Sequence, residues 1–550
     1  MAAYLPSDEQ RQLIESDDSA AVIAGPGRGK SATAIAAAKA WLERHPGHGR
    51  VLFTSFSNAA VKRIAASAGI DLRQHTRRLR FRTFHSVAFE ILQDYGRFVG
   101  LKTPLRVMDE TEASLIASER DWHDLESAER AAAVRSLARR EGMIGFDLMI
   151  PLASALLLNS VVIRRQIGRR FPFIVVDEFQ DTTSVQWEFL KLLGESNRVA
   201  ILGDPDQMIY ERQHQIALAR VTEFETWKGV QAIRFDGENY RCRNAAIIRF
   251  ADALLHGNLE IPNNGDGVQL IPAYPNQRRA VLAAVWLAIR RQARPDSTIA
   301  FIVPSAASAR NLAADLRAPQ VGAAVAVPIH AHIETPTEDF DAFRLAAYAG
   351  ADWLNAPCDE RLKRFAMAIV IFMSSWSRIK VSGAKIETVY RRISPQSRAA
   401  SPVREFLRAA TAKPFEAFAG GLLDAMEQDS CFRSAARALR SHGLPRTPAL
   451  AASQADLFDT YRQNRAITGL EGAVASRAQT SMVSMYRSKG REFDFVLLVV
   501  EPRSHSQTTS LDELRRLYYV SATRAKQWLG VLHVPNRCGQ VLAPVIGQRP

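Results

Sequence analysis

The amino-acid sequence predicts an α/β fold with two parallel-sheet cores, each interrupted by a helical insertion. Three observations support this prediction. Short apolar runs alternate with longer helical patterns, which is typical of parallel α/β units. The runs fall into two groups, and tracts rich in alanine, arginine and leucine lie beside them, at about 86–165 and 340–475. With 550 residues, the chain also exceeds the size of one hydrophobic core.

Eight apolar runs are predicted to be strands. The first group comprises Ala20–Ile23, Val51–Ser55, Phe173–Val176 and Val199–Leu202, and the second group comprises Thr298–Val303, Thr480–Met485, Phe495–Val500 and Trp528–Val534. The first helix precedes these strands and begins at Ser7, where Gln10 completes the pattern of a capping box. A glutamine just before a phosphate-binding loop can also contact an adenine edge, so both explanations of Gln10 stay open.

Composition narrows the classes of protein to consider. The formal net charge is +14 and the pI is about 9.8, which favours a polyanionic partner such as nucleic acid as strongly as it favours a role in solubility. The four cysteines are far apart, which argues against a zinc site or a disulfide framework and fits a reducing cytosol. No run is long enough to span a membrane, and the N-terminus lacks a signal-peptide pattern. We therefore expect a cytoplasmic protein.

The first predicted strand leads directly into a glycine-rich loop, AGPGRGKS at residues 24–31. A strand that ends at such a loop and opens a helix presents backbone N–H groups to phosphate oxygens, and the helix N-terminus adds positive potential. Gly25, Gly27 and Gly29 form this loop. Lys30 is then placed to reach the β- and γ-phosphates, and the Ser31 hydroxyl to bind Mg²⁺.

A second apolar strand, Phe173–Val176, ends in Asp177 and Glu178. Carboxylates at a strand end opposite a phosphate-binding loop suit a metal–triphosphate, because one can bind the metal and the other can orient or deprotonate water. We assign these roles to Asp177 and Glu178 respectively. The alternative, a glycine-rich turn and an ordinary acidic strand end, explains either segment alone better than it explains the pair.

Further downstream, several polar residues fit the same chemistry. Gln207 follows the strand that ends at Leu202 and could sense the γ-phosphate, although its segment also has the composition of a turn. Arg241 and Arg524 offer guanidinium groups that can neutralise a phosphoryl-transfer transition state. Before the strand at Phe495, Gly490 permits a close backbone approach and Glu492 can accept a hydrogen bond from a ribose hydroxyl.

Two segments place aromatic and small polar residues at predicted strand ends, where stacking on bases and contacts to phosphates are easy. The first contains Phe56 and Asn58, and the second contains Thr83, Phe84 and His85. Core packing of the two phenylalanines explains these segments equally well, and a single histidine is more often structural than a ligand.

The order of these segments resembles that of superfamily 1 helicases of the UvrD/Rep type. The segments are LPSDEQ, AGPGRGKS, TSFSNAA, TFHS, VVDEFQD, GDPDQMIY, ENYR, SKGREFD and YYVSATRA, in that succession over nearly the whole chain. The resemblance implies two RecA-like cores with ATP between them: core 1A at 1–85 and 150–255 with helical insertion 1B at 86–149, and core 2A at 256–340 and 478–550 with helical insertion 2B at 341–477.

The resemblance also implies roles for individual residues. Gln10 would contact adenine and Tyr240 would stack on it, Lys30 and Ser31 would bind phosphates and Mg²⁺, and Glu178 would be the catalytic base. Gln207 would couple the γ-phosphate to DNA, Arg241 and Arg524 would act as arginine fingers, and Gly490 and Glu492 would contact the nucleotide from the second core. The DNA track would contain Phe56, Asn58, Thr83, His85 and Tyr210.

The implied activity is that of an ATP-dependent DNA helicase or translocase that moves 3′→5′ on single-stranded or tailed duplex DNA. The chain departs from the family at three places: Arg28 replaces a small hydroxyl residue, Tyr486 replaces histidine, and Glu211-Arg212-Gln213-His214 replaces a run with arginine and an aromatic residue. We expect these departures to leave ATP hydrolysis intact and to affect stepping and strand separation. An alternative is therefore a DNA-sensing regulatory ATPase that controls a separate partner nuclease or repair protein, and no residue excludes RNA as the substrate.

Overall fold

The structure, a computed structural model, describes most of the two cores and parts of the insertions. The described residues are 5–47, 49–55, 61, 64–65, 73–108, 116, 127–209, 219–237, 239–242, 244–257, 267–305, 308–309, 312, 316, 332–333, 358–359, 362–363, 365–367, 369–370, 383–409, 415–436, 480–500, 510–535 and 539–545. The predicted site residues Phe56, Asn58 and Tyr210 lie outside these ranges, as does the sequence departure at 211–214.

The strands of the described residues are numbered in chain order. They are β1 (Ala20–Ala24), β2 (Val51–Ser55), β3 (Leu79–Thr83), β4 (Arg106–Met108), β5 (Met143–Gly145), β6 (Phe173–Asp177), β7 (Arg198–Gly203), β8 (Ala232–Phe235), β9 (Val268–Pro272), β10 (Ile299–Val303), β11 (His332–Ile333), β12 (Thr480–Ser484), β13 (Phe493–Val499) and β14 (Ala525–His533).

The α-helices are numbered in the same way. They are α1 (Asp8–Glu15), α2 (Lys30–Arg44), α3 (Phe84–Tyr95), α4 (Ser127–Arg140), α5 (Phe146–Asn159), α6 (Val161–Arg170), α7 (Ser184–Gly194), α8 (Arg220–Lys228), α9 (Ala245–His256), α10 (Arg278–Gln292), α11 (Gly383–Ile393), α12 (Pro402–Ala409), α13 (Phe415–Gln428), α14 (Met485–Ser488), α15 (Leu511–Ala522) and α16 (Gly539–Val545). Short 3-10 helices at Phe179–Asp181 and Pro205–Gln207 follow β6 and β7.

The first sheet is parallel, with strand order β3-β2-β6-β7-β1-β8. Its central strands are apolar and buried because helices cover both faces, as parallel sheets require. The register pairs Ile23 with Gly203 and Ser55 with Asp177. Since parallel strands end at one edge, this register places the loops after β1, β6 and β7 side by side.

The second sheet contains the parallel order β12-β10-β13-β14-β9. Helices α9 and α15 pack on it in one hydrophobic cluster that includes Phe250, Val496 and Leu517. The sequence-based boundary between the cores lies after residue 255, whereas α9 buries its apolar face in this second cluster. The packing therefore assigns α9 to the second core rather than to the first.

The chain divides into two compact units. One unit comprises Met1–Leu105, Phe146–Ala331 and Gln479–Pro550 and contains both large sheets, and the other comprises Arg106–Gly145 and His332–Ala478. In the second unit, β4 and β5 form a parallel pair, and Phe365 packs edge-on against Phe432 at 5.8 Å between ring centroids. Helix α3, which the sequence assigned to the first insertion, belongs to the unit of the two sheets, where it packs on α5. The assignment of four domains stays a prediction.

The prediction of an α/β fold with parallel sheets is confirmed, and all eight predicted strands are present. Six of the described strands were not predicted from the sequence: the short strands β4, β5 and β11, and also β3, β8 and β9. The last three each lie at an edge of their sheet in the described part of the chain, and each contains exposed or half-buried positions. An edge strand buries less surface, so its sequence lacks the continuous apolar run that marks a central strand.

Among the described residues, no single helix has both the length and the apolar composition to cross a membrane. Helices α5 and α6 reach that length only as a pair, and the pair bends by 112°.

Candidate active site

The glycine-rich loop lies between β1 and α2, as predicted. Gly29 precedes the first residue of α2 with a φ of 81°, and Gly27 has a φ of 75°, both in the left-handed region that favours glycine. A Cβ atom on Gly27 would lie 2.1 Å from Oδ1 of Asn239, so no side chain fits there. A strand end, a loop with left-handed glycines and a helix start in this order form the arrangement that presents backbone N–H groups to phosphates.

Asn239 connects this loop to the segment that contains Tyr240 and Arg241. Its Nδ2 donates to the carbonyl of Pro26 at 2.8 Å, and its Oδ1 accepts from the backbone N–H groups of Arg241 and Cys242 at 3.0 and 2.9 Å. The N–H of Tyr240 also donates to the carbonyl of Gly27 at 2.9 Å. No role for Asn239 was predicted from the sequence, although its position before Tyr240 and Arg241 could have suggested one.

Arg28, the departure from the family in this loop, also connects the loop to a neighbouring strand. Its guanidinium donates to the carbonyl of Phe235 at 3.1 Å and to the Asp236 carboxylate at 3.3 Å, at the end of β8. Arg28 thus connects the loop to β8, an edge strand of the first sheet.

Lys30 begins α2 and points back into its own loop. Its ammonium donates to the carbonyls of Ala24 and Gly25 and lies 3.8 Å from Oδ2 of Asp204. Burial lowers the pKa of Lys30, whereas the nearby carboxylates of Asp204 and Glu178 oppose this shift. An ammonium in this position provides positive charge at the centre of the loop.

The strand end at β6 presents two carboxylates. Asp177 is buried, and Glu178 has a φ of 54°, the one positive φ among the described non-glycine residues. Gln180 donates from Nε2 to Oε2 of Glu178 at 2.7 Å and accepts from the N–H of Asp204 at 3.0 Å. Gln180 therefore fixes the Glu178 carboxylate relative to β7. Strained backbone of this kind is concentrated at functional sites.

Gln207 and Arg524 join the two cores. Gln207 donates to the Asp204 carboxylate at 2.6 Å, and its Oε1 accepts from the Arg524 guanidinium at 3.0 Å. Arg524 is 1% exposed and also donates to the carbonyls of Val520 and Arg491 at 2.8 and 3.3 Å. Hydrogen bonds thus connect the end of β7 in the first core to an arginine of the second core.

A buried ion pair provides a second connection between the cores. The ammonium of Lys489 lies 2.6 Å from Oδ2 of Asp181, and the two side chains are 5% and 3% exposed. Burial raises the pKa of Asp181 to about 6, while the attraction to Lys489 opposes the shift. No role for either residue was predicted from the sequence.

Arg241 and Glu492 form a third connection. Nε of Arg241 lies 2.6 Å from Oε1 of Glu492, whose other oxygen lies 3.5 Å from the ammonium of Lys526. Tyr240 beside Arg241 is 58% exposed. An aromatic face this open can stack on a planar group.

One cavity of about 670 Å³ brings most of the predicted residues together. Its lining contains all the residues predicted to bind ATP, to bind the metal or to act in catalysis except two, namely Gly27, Gly29, Lys30, Ser31, Asp177, Glu178, Gln207, Tyr240, Arg241, Gly490, Glu492 and Arg524. The exceptions are Gln10 and Gly25. The volume lies within the range of small-molecule sites.

Gln10 and Gly25 lie close to the cavity but outside its wall. The Gln10 carboxamide completes the predicted capping box, accepting from the N–H of Ser7 at 3.1 Å, and donates to the carbonyl of Arg28 at 3.4 Å. The capping explanation of Gln10 is therefore confirmed, and its contact with adenine stays a prediction.

Two residues of the predicted DNA track are described. The hydroxyl of Thr83 caps α3, accepting from the N–H of Ser86 at 3.3 Å. His85 packs edge-on against Phe146 at 5.8 Å, and burial lowers its pKa. Both side chains have structural partners, and their contact with DNA stays a prediction.

Ser31 and Asp177 could hold a Mg²⁺ ion, because both line the cavity with oxygen ligands of the kind that Mg²⁺ prefers. Among the described residues, no group of three or more histidine, cysteine, aspartate or glutamate side chains could form a metal cage. A hydroxyl and one carboxylate fit an ion that takes its other ligands from water and phosphates.

Family models match both cores. The model of the UvrD/REP helicase N-terminal domain matches residues 6–138 and 117–217, and that of the UvrD-like helicase C-terminal domain matches residues 481–532. The matched regions contain the glycine-rich loop, the two carboxylates, Gln207 and Arg524.

Three proteins to which the chain is similar are DNA helicases by name. The chain is 27% identical over 278 residues to ATP-dependent DNA helicase Rep of Salmonella typhimurium, covering 43% of this chain and 41% of that protein. It is 25% identical over 295 residues to DNA helicase II of Escherichia coli, covering 46% and 40%. It is 24% identical over 317 residues to ATP-dependent DNA helicase srs2 of Schizosaccharomyces pombe, covering 47% and 35%. The aligned region thus spans about two fifths of the length of these relatives.

Proposed function

We propose, from the match of both cores to models of UvrD-like helicase domains, that this chain is an ATP-dependent motor. In this proposal it moves 3′→5′ on single-stranded DNA and separates duplex strands. The observation that supports the proposal most is the composition of the cavity wall. Lys30 and Glu178 come from the first core, whereas Glu492 and Arg524 come from the second. A nucleotide between two cores can change their contacts as it is hydrolysed.

In this proposal the chain's own residues perform the phosphoryl transfer. The loop N–H groups and Lys30 hold the triphosphate, and Glu178, fixed by Gln180, accepts a proton from the attacking water. Arg241 and Arg524 neutralise the charge that develops on the transferred group. Ser31 and Asp177 hold Mg²⁺, which supplies charge neutralisation when bound.

Coupling to movement follows from the contacts between the cores. The Gln207–Arg524 hydrogen bond and the Arg241–Glu492 ion pair both lie at the cavity wall. When ATP binds, its phosphates and ribose compete for these groups, so the contacts between the cores must rearrange. We infer that this rearrangement moves the predicted DNA-binding residues, among them Thr83 and Tyr210, along the strand.

The proposal is tested by measuring ATP hydrolysis and unwinding on matched 3′-tailed, 5′-tailed and blunt substrates of DNA and of RNA. We expect hydrolysis stimulated by single-stranded DNA and unwinding from a 3′ tail only. Glu178→Gln should lower kcat by at least about a hundredfold, because the general base is lost, whereas Glu188→Gln, at an exposed position of α7, should leave kcat unchanged. Unwinding from a 5′ tail would contradict the direction, and equal stimulation by RNA would contradict the choice of DNA.

A DNA-sensing regulatory ATPase that acts on a separate nuclease or repair protein is the second candidate. The departure at 211–214, where the family has a base-stacking aromatic residue and an arginine, favours it. Strong stimulation of ATP hydrolysis by DNA, without unwinding or translocation on any substrate, would support this candidate over the first.

A further inference from the structure

We propose that the outer edge of the first sheet is a second nucleic-acid-binding surface, which binds the phosphate backbone of DNA beyond the predicted track. This inference rests on the proposed function, because it extends the DNA contacts of the motor. We name the surface the basic edge. It comprises Arg50, Arg80, Arg82 and Arg170.

The geometry of β3 places two of these arginines in a row. β3 is the first strand of its sheet, and no described strand pairs with its outer side. Side chains at i and i+2 of a strand point to the same face about 6.7 Å apart. Arg80 and Arg82 therefore lie on one face, and the Arg82 side chain is 43% exposed.

Backbone and side-chain bonds bring two more arginines to the same place. The N–H of Arg50 donates to the carbonyl of Arg170 at 2.8 Å, which joins the start of β2 to the end of α6. Glu90 on α3 accepts from both Arg82, at 2.6 Å, and Arg170, at 3.3 Å. The guanidinium groups of Arg82 and Arg170 are therefore neighbours.

Positive charge exceeds negative charge on this surface. Two carboxylates, those of Glu90 and Asp94, form ion pairs with Arg82 and Arg170, against the four arginines of this surface. Burial lowers the pKa of Arg80 and the repulsion from Arg50 lowers it further, while the attraction to Glu90 opposes the shift. One carboxylate, that of Glu90, is thus shared by Arg80, Arg82 and Arg170. Like charges held together in this way favour a partner that supplies several negative charges.

The chemistry of the surface favours nucleic acid over an acidic protein. Arginine binds phosphate oxygens in bidentate fashion, and several arginines along one sheet edge suit a polymer with regularly spaced charges. The row also leads toward the predicted track, because β3 ends at Thr83 and α3 follows with His85. The ring between the two arginines, Phe81, stacks on Phe53 at 5.0 Å. Binding should therefore depend on backbone charge and not on base sequence.

The experiment compares two double variants of the full chain that remove the same charge. Arg50→Gln with Arg80→Gln changes the basic edge, and Arg279→Gln with Arg291→Gln changes α10 of the second core. Fluorescence anisotropy measures the Kd for single-stranded DNA of about 10 and about 40 nucleotides, at several salt concentrations. Melting temperatures check folding. If the first edge variant does not fold, Arg50→Gln with Arg82→Gln replaces it, since the Arg82 side chain is 43% exposed.

For the longer strand, we expect the edge variant to bind roughly fivefold to tenfold more weakly at low salt. The slope of log K against log salt should become shallower by about 1.4, because two phosphate contacts are lost and each contributes about 0.7 on a single strand. The shorter strand should bind the edge variant and the α10 variant equally. Equal losses in both variants would overturn the proposal, as would displacement of the longer strand by polyglutamate of the same charge, which indicates an acidic-protein site.

The two strand lengths also separate this inference from the proposed function. If the short strand fails to stimulate ATP hydrolysis by the unchanged chain, the motor proposal fails. If the short strand stimulates hydrolysis while the longer strand binds the edge variant as tightly as it binds the unchanged chain, the proposal of the basic edge fails and the motor proposal stands.

Discussion

At the scale of single residues, Asn239 shows how one side chain organises the candidate site. Its carboxamide makes three hydrogen bonds, one to the phosphate-binding loop and two to the backbone of the following residues. These bonds set the distance between the loop and Tyr240 and Arg241. We therefore regard Asn239 as a positioning residue, which acts on the nucleotide through its neighbours.

We expect Asn239→Ala to raise the KM for ATP by roughly tenfold, because the loss of hydrogen bonds worth about 0.5–1.5 kcal/mol each releases the loop from the Tyr240 segment. The control is Asn244→Ala, which removes the cap of the adjacent helix α9 and costs about 1 kcal/mol of stability. Steady-state ATPase kinetics measure both. A KM that rises equally in the two variants would show a general loss of stability instead of positioning.

His85 provides a pH-dependent contribution to stability. Because burial lowers its pKa in the folded state, the unfolded chain takes up a proton first as the pH falls below about 6.5. The contribution of His85 is thus complete above that pH and is lost as the pH decreases, by at most about 1.4 kcal/mol per pH unit. Urea unfolding measures the free energy of unfolding of the unchanged chain and of His85→Asn from pH 7.5 to 5.5. The excess stability of the unchanged chain should decrease over this range, whereas a constant difference between the two would contradict this account.

At the scale of elements, the connections between strand ends decide how the two cores meet. The 3-10 helix after β6 contributes Asp181, the one after β7 contributes Gln207, and the loop after α14 contributes Lys489. Asp181 and Gln207 lie just after buried strands, and Lys489 lies between α14 and β13. These short segments join the first core to the second through side chains that solvent does not reach.

Asp181→Asn should destabilise the protein by about 3–5 kcal/mol, because Lys489 loses its carboxylate partner in a buried place. The matched control, Asp8→Asn, breaks an exposed pair with Arg11 and should cost under about 1 kcal/mol. Urea unfolding of the full chain measures both changes. Similar small effects in the two variants would mean that the buried pair does not stabilise the contact between the cores.

At the scale of the whole molecule, the cavity makes nucleotide binding a contribution to stability. Residues of both sheets line it, so a bound nucleotide holds the two cores together and favours the folded state by mass action. None of the described residues that line the cavity comes from the other compact unit, which contains β4, β5 and α11–α13.

A nucleotide at a hundredfold excess over its Kd should stabilise the chain by about 2.7 kcal/mol. Thermal melting with and without Mg²⁺–ADP measures this effect. Lys30→Met should abolish it, because the central cation of the loop is lost. Lys39→Met, at an exposed position on the same helix, should retain it, and loss of the stabilisation in both variants would contradict the assignment of Lys30.

The motifs along the sequence predicted most of the site because local chain geometry defines them. A strand, a glycine-rich loop and a helix start follow one another over residues 20–31, and the carboxylates lie directly after β6. Edge strands such as β3 were harder to predict, since partial exposure breaks their apolar pattern. The contacts of Asn239, Gln180 and Lys489 were also missed, because their partners lie elsewhere in the chain.

The sequence by itself determined the fold class, the likeness to UvrD-type helicases and the identity of most residues around the cavity, because short-range order along the chain encodes strands, loops and helix starts. Only the tertiary structure decided which of these residues meet. Gln207 and Arg524 are separated by 317 positions and meet through a hydrogen bond, and the arginines of the basic edge come from three separate segments. Such contacts depend on the pairing of parallel strands and the packing of helices on them, which no local pattern specifies.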